Sequence, residues 1–161
     1  MLVRPAVTAD LSLLQGIEAA ADRMFDEVVD TSRWGHPDTG EDRAAEPGFL
    51  LVVGEPVVGF AHVLDLDGRA HLEQLAVLPR QVGRGLGTAL VEGVCREAAS
   101  RGYDRVTLRT FADVPWNGPF YARLGFAEIP DPDWMAPLLA AEARIGLPQA
   151  GRRVAMQRLL P

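Results

Sequence analysis

Apolar residues recur early in the chain at helical spacing: Leu14, Ile17, Ala21 and Met24/Phe25 follow Thr8 and Asp10, two good helix N-capping residues. The pattern predicts an amphipathic helix that ends before Asp30. Residues 30–48 lose this period and are rich in turn formers and charge, which predicts a long loop or short helix holding Trp34. The repeat then changes to that of strands. Phe49 to Val53 and Val57 to Leu66 are β-rich runs joined by the turn Gly54-Glu55, and His71 to Val77 follows the turn Asp67-Gly68. Their order predicts an antiparallel meander of three strands. Pro79 closes the third, a glycine-rich loop follows, and Leu86, Ala89/Leu90, Val94 and Ala98 mark one face of a helix ending near Gly102. Val106 and Leu108 fall in a short strand, and Phe120 to Leu124 in a short helix closed by Gly125. Two further strands, Phe126 to Ile129 and Val154 to Leu160, flank a proline-rich turn and a helix from Trp134 to Arg144. Such an order predicts an α+β fold.

The 161 residues, 48% of them apolar and 24% charged, fit one domain, residues 1–161, with a real core. Within it we distinguish a leading helix and loop (1–48), the meander with the glycine loop and its helix (49–102), and a C-terminal half (103–161). Pro5 and Asp10 interrupt the start, where a secretory peptide needs unbroken apolar sequence, and runs such as Phe49 to Val53 are too short to cross a bilayer. The single cysteine, Cys95, supplies neither an internal disulfide nor a thiolate metal cluster. A cytoplasmic protein with no metal and no membrane partner is expected. The formal charge is −6, and all sixteen basic residues are arginine. That balance argues against a nucleic-acid partner, and the absence of lysine excludes a Schiff-base nucleophile.

The segment Leu75-Ala76-Val77-Leu78-Pro79-Arg80-Gln81-Val82-Gly83-Arg84-Gly85-Leu86-Gly87-Thr88 carries the most chemistry. Three glycines at alternate positions, between a strand end and a helix start, let the backbone approach a ligand and aim N–H groups at one point. A phosphate or pyrophosphate is the natural occupant. A dinucleotide fingerprint needs another glycine where Thr88 or Leu90 stands, and no Gly-Lys-Ser/Thr follows for a triphosphate loop. A turn that merely reverses the chain remains the alternative.

The segment resembles motif A of the GNAT superfamily of N-acetyltransferases, Gln/Arg-x-x-Gly-x-Gly/Ala after a strand. Gly85 and Gly87 fill the two small positions, while Val82 stands where the family prefers Gln or Arg. Phe120-Tyr121-Ala122-Arg123-Leu124-Gly125-Phe126 resembles the Tyr-x-x-x-Gly-Phe ending of motif B, although Val114 occupies the place of an asparagine common seven residues before that tyrosine. The resemblance implies a GNAT-like acyl-CoA N-acyltransferase fold, with a central mixed, mostly antiparallel sheet flanked by helices. It also implies transfer of an acetyl group from acetyl-CoA to a primary amine by direct attack in a ternary complex. The implied acetyl-CoA site runs along Leu75, Ala76 and Val77, whose amides would meet the oxyanion, and along Val82, Gly83, Arg84, Gly85, Leu86, Gly87 and Thr88.

For the base, Glu73 is the first choice, placed by strand alternation on one face with Leu75 and Val77. A solvent-facing or ion-paired residue is its alternative, and His62 and His71 are further candidates. For the acid, Tyr121 matches by position, against the alternative of an aromatic anchor. Trp34, Trp116 and Trp134 could line an acceptor pocket or pack. An acylation-inactive, regulatory acyl-CoA-binding module is the competing function, and exposed late strands leave a homodimer open. Residues 1–48 hold ten acids against four arginines, whereas 49–161 hold twelve of each. The excess is either a solvated face, with Asp22, Asp26, Glu27, Asp30, Glu41 and Asp42 exposed, or an end that draws a cationic small-molecule or peptide amine.

Overall fold

The computed structural model describes residues 2–161. Seven strands form one sheet: β1 (Val3–Pro5), β2 (Gly48–Val53), β3 (Gly59–Leu66), β4 (Arg69–Val77), β5 (Arg105–Phe111), β6 (Ala127–Ile129) and β7 (Arg153–Leu159). Their spatial order is β1-β2-β3-β4-β5-β7-β6. Every neighbouring pair is antiparallel except β4 and β5. Helices α1 (Leu11–Asp22) and α3 (Leu86–Ser100) cover opposite faces, with α2 (Gly40–Ala45), α4 (Gly118–Arg123), α5 (Ala136–Arg144) and α6 (Leu147–Ala150) added around them.

Two cores result. Leu86, Leu90, Val91, Val94 and Ala98 of α3 pack on Leu51, Val53, Ala61, Val63, Leu72, Val106 and Leu108, while Leu14 and Ile17 of α1 pack on Leu50, Val52, Phe60 and Ala76. Both faces of β2 are therefore covered, which is why its sequence is apolar without alternation. The three-strand meander and the helix after the glycine loop lie as the periodicity predicts. Differences arise where segments are short. β1 is three residues ending in proline, α6 is four residues, and neither carries a repeat long enough to read. The first helix stops at Asp22, and Arg23–Phe25 tightens into a 3-10 turn. In the stretch expected to be a loop or short helix, Thr39 caps α2 by accepting a hydrogen bond from the Asp42 N–H at 3.1 Å. At Gly40, α2 comes so close to α1 that an added Cβ would lie 2.0 Å from the Leu11 carbonyl oxygen.

Two irregularities in β4 open the sheet. Against β3, His62 pairs with Gln74 and Val63 with Leu72, so Glu73 is the extra residue of a β-bulge. The bulge breaks the alternation that would put Glu73 with Leu75 and Val77. Those two pack toward α3, whereas Glu73 turns to the α1 face and meets Arg43 of α2. Against β5, pairing covers only Ala70–Leu72 with Val106–Leu108, and beyond Leu72 the strands have no paired register. Beyond the gap, β5 runs fully paired with β7. Glu142 of α5 holds the tail to these strands: Arg109 Nε and Arg153 Nε donate to its two oxygens at 2.7 and 3.0 Å, and Arg109 also reaches Asp131 at 2.5 Å.

Candidate active site

A cleft of about 810 Å³ enters the opening between β4 and β5 and continues to the start of α3 in one direction and to α1 in the other. Of the residues expected along the cofactor, Leu75, Ala76, Val77, Val82, Gly83, Gly85, Leu86, Gly87 and Thr88 line it, whereas Arg84 is exposed and outside it. Gly83 and Gly85 have φ of +88° and +77°, and a Cβ added at either would meet nothing within 4 Å. The turn thus forms a cradle open to the cleft. Behind it, the first N–H groups of α3 have no intrahelical acceptor, and the helix dipole adds partial positive charge there. These residues fit a pyrophosphate.

Midway along the cleft stand Leu75 and Tyr121. Tyr121 is buried between the rings of Phe120 and Phe126, with centroids 5.1 and 5.8 Å away. Burial pushes its phenol pKa well above the ordinary value, with Arg153 opposing, so the hydroxyl stays protonated. Because β4 is unpaired with β5 after Leu72, backbone groups of its last residues that would bridge to β5 face the opening instead.

The far end is acidic and aromatic. Glu18 and Glu73 pair with the guanidinium of Arg43, Asp22 stands within reach of its charge, and all four line the cleft. Arg43 Nη2 donates to Glu18 Oε1 at 2.6 Å, and its Nη1 meets both Glu73 Oε2 and His62 Nδ1, the latter at 2.8 Å. Burial opposes ionisation of Glu73, but the His62 ring 3.5 Å away and Arg43 together hold its pKa at about 2. A guanidinium only donates, so the Arg43 ion pair is the durable part of that pull. Glu18 behaves oppositely. Burial raises its pKa to about 7, Asp22 and Glu73 adding to the effect and Arg43 opposing it. Asp22, one turn further along α1, is raised to about 6, again chiefly by burial. Beside them Phe25 packs against Trp34 and Trp116 at 5.3 and 5.4 Å, and the Nε1 atoms of both tryptophans are buried without a partner.

The other candidate bases lie elsewhere. His62 is 2% exposed, and neither it nor His71 lines the cleft. His71 Nδ1 is 2.9 Å from Thr107 Oγ1, and burial lowers its pKa to about 4. Trp134 packs edge-on to His71 under Arg69, away from the cleft. Of the six acids read either as a solvated face or as an acceptor-drawing end, Asp26, Glu27, Asp30, Glu41 and Asp42 are exposed and only Asp22 faces the cleft. Glu18 and Arg43 escaped the sequence reading. Their one signal was Glu18 at i+4 from Leu14, a carboxylate inside an apolar stripe.

A splayed mixed sheet with a glycine cradle at its opening defines an acyl-CoA N-acyltransferase fold. The chain belongs to the acetyltransferase (GNAT) family, which it matches over residues 16–126. It is 33% identical over 122 residues, 72% of its length, to mycothiol acetyltransferase of Frankia casuarinae. The matched region is 35% of that relative, so the chain spans about a third of it. Two solved structures share the fold. The PaiA N-acetyltransferase of Thermoplasma acidophilum, in complex with coenzyme A, superposes with a TM-score of 0.72 at 12% identity, over 98% of both chains. The ribosomal-protein-S18-alanine N-acetyltransferase of Escherichia coli gives 0.66 at 22%, over 99% of this chain and 93% of that one. No helix among the described residues is long and apolar enough to cross a membrane.

Proposed function

We propose that the protein transfers the acetyl group of acetyl-CoA to a primary amine by direct attack in a ternary complex, and that the amine is a cationic small molecule or peptide. The observation that carries this reading is the continuity of one cleft from the glycine cradle, past Tyr121, to the carboxylates around Arg43. Bound acetyl-CoA supplies the acetyl group as an activated thioester. The cradle at Gly83 and Gly85 and the N–H groups opening α3 receive its pyrophosphate. Backbone donors at Leu75 to Val77 take the charge that develops on the carbonyl oxygen. Tyr121, kept protonated by burial, hydrogen-bonds the departing sulfur.

Glu73 faces the amine as a fixed anion. Its low pKa suits holding an ammonium and nearby water. Three carboxylates to one guanidinium leave this wall short of positive charge, while Arg109 and Arg153, which also line the cleft, are matched by Glu142 and Asp131. An arriving ammonium restores the balance, and the aromatic rings of Phe25, Trp34 and Trp116 that line the cleft beside it suit a cation.

Thiol release from acetyl-CoA across a panel of cationic, neutral and anionic amines tests the reading. Turnover strongest with cationic amines, with KM rising at high salt, is expected. A rise in Tm with coenzyme A but no thiol release with any amine would mark a binding module instead.

A further inference from the structure

We propose that Glu18 of α1, rather than Glu73, takes the proton from the attacking ammonium, with Arg43 as the bridge that holds the two carboxylates on either side of the incoming nitrogen. The inference rests on the acetyl-transfer reading and assigns a proton acceptor within that site.

Glu18 is 7% exposed, yet it lines the cleft. Its Oε1 is occupied by Arg43 Nη2, and its Oε2 has no hydrogen bond among the described residues. That oxygen is not closed off from solvent, so it opens to the cleft, where a donor brought by a ligand can reach it. Arg43, on a side chain 4% exposed, spans the two carboxylates, Nη2 to Glu18 and Nη1 to Glu73. The groups facing Glu18 are Asp22 on its own helix, Arg43 from α2, Glu73 from β4 and, through Arg43, His62 from β3. Two of the four are anions that disfavour a further negative charge. Both carboxylates meet the guanidinium, but the Glu73 side chain is 37% exposed against 9% for Glu18, and the His62 ring lies beside it as well. One site therefore holds two unlike carboxylates, one fixed as an anion and one with the basicity to accept a proton near neutrality.

R–NH3+ gives one proton to Glu18, and the freed lone pair forms a C–N bond to the acetyl carbon. The C–S bond breaks with its electron pair on sulfur. The second nitrogen proton reaches the thiolate through the Tyr121 hydroxyl, which ends unchanged. Glu18 then returns its proton to water, leaving an amide, a thiol and one free proton.

The test compares wild type, Glu18→Gln and Glu18→Asp by kcat from about pH 5 to about pH 9, alongside a carbon NMR titration of the Glu18 carboxyl in the wild-type protein. Wild-type kcat should fall tenfold per pH unit below about 7, with the carboxyl titrating over the same range. Glu18→Gln should lower kcat by about 10²-fold and abolish that limb, with coenzyme A affinity unchanged, and Glu18→Asp should restore it in part. If Glu18→Gln does not fold, the wild-type limb and the NMR titration still decide. A carboxyl titrating below about pH 5, or a Glu18→Gln enzyme keeping the limb and kcat within about twofold, overturns the assignment and leaves acetyl transfer standing. A folded wild-type protein inert with every amine overturns acetyl transfer, and this assignment with it.

Discussion

Replacing Gly85 with alanine separates what the glycine cradle does for the fold from what it does for a ligand. Gly85 caps α3 with φ +77°, ψ 11°, and the new methyl would touch no protein atom. The fold therefore loses only backbone energy. A left-handed L-residue costs about 1–2 kcal/mol, and about 0.4–1 kcal/mol is returned because alanine stiffens the unfolded chain. A net loss of about 1 kcal/mol lowers Tm by about 2–4 °C in a domain of this size. Gly68, in the turn between β3 and β4, supplies the control: its φ is +83°, its Cβ would also be free, and it does not line the cleft. Both variants should melt alike. Only Gly85→Ala puts a methyl where the pyrophosphate is to lie, so its Kd for coenzyme A by calorimetry should rise by about tenfold to a hundredfold, or about 1.4–2.8 kcal/mol. The reasoning is refuted if Gly85→Ala binds coenzyme A within about twofold of wild type, or if Gly68→Ala weakens binding equally.

Tyr121→Phe removes a hydroxyl with no hydrogen bond to the described residues, so Tm should hold while kcat falls by about 10²-fold at unchanged coenzyme A affinity. Equal kcat would return Tyr121 to a packing role. Glu142→Ala takes the shared anion from the part-buried Arg109 and Arg153, of which Arg109 keeps Asp131, and should cost about 1–3 kcal/mol in urea unfolding, with a loss under about 0.5 kcal/mol counting against the clasp. His71 is held neutral with a pKa of about 4, against about 6.5 unfolded, so the unfolded chain takes its proton first. Its contribution is full above about pH 6.5 and drains away as pH falls toward 4, so urea unfolding of His71→Asn should show a shallower loss across that window than wild type.

The long elements were legible because their periods are unambiguous: Leu14 and Ile17 for the first helix, Leu86 to Ala98 for the helix after the glycine loop, Val106 and Leu108 for the strand beyond it. The cradle was legible because glycine at alternate positions is itself a statement about backbone geometry. Glu73 could be located on its strand but not on its face. A bulge belongs to the pairing of two strands, and nothing in His71 to Val77 alone records that Glu73 has no partner opposite it. The acidic network was hidden for a related reason. Glu18 and Arg43 are 25 residues apart and meet only because α2 packs tightly on α1 at Gly40, a close approach written in one glycine within a charged loop.

The short parallel pairing of β4 with β5 also has a mechanical side. Three residue pairs rivet together two plates, one of β1 to β4 and one of β5 to β7, and α3 braces them from behind. Only these three pairs join the two plates by backbone bonding, so the second plate can loosen as a cooperative unit at a lower cost than global unfolding. A molecule filling the cleft touches both plates and stiffens the seam from the front. Amide exchange across β5 and β7 is expected to slow when the cleft is filled, so that the proposed ternary complex would be the most rigid form of the molecule.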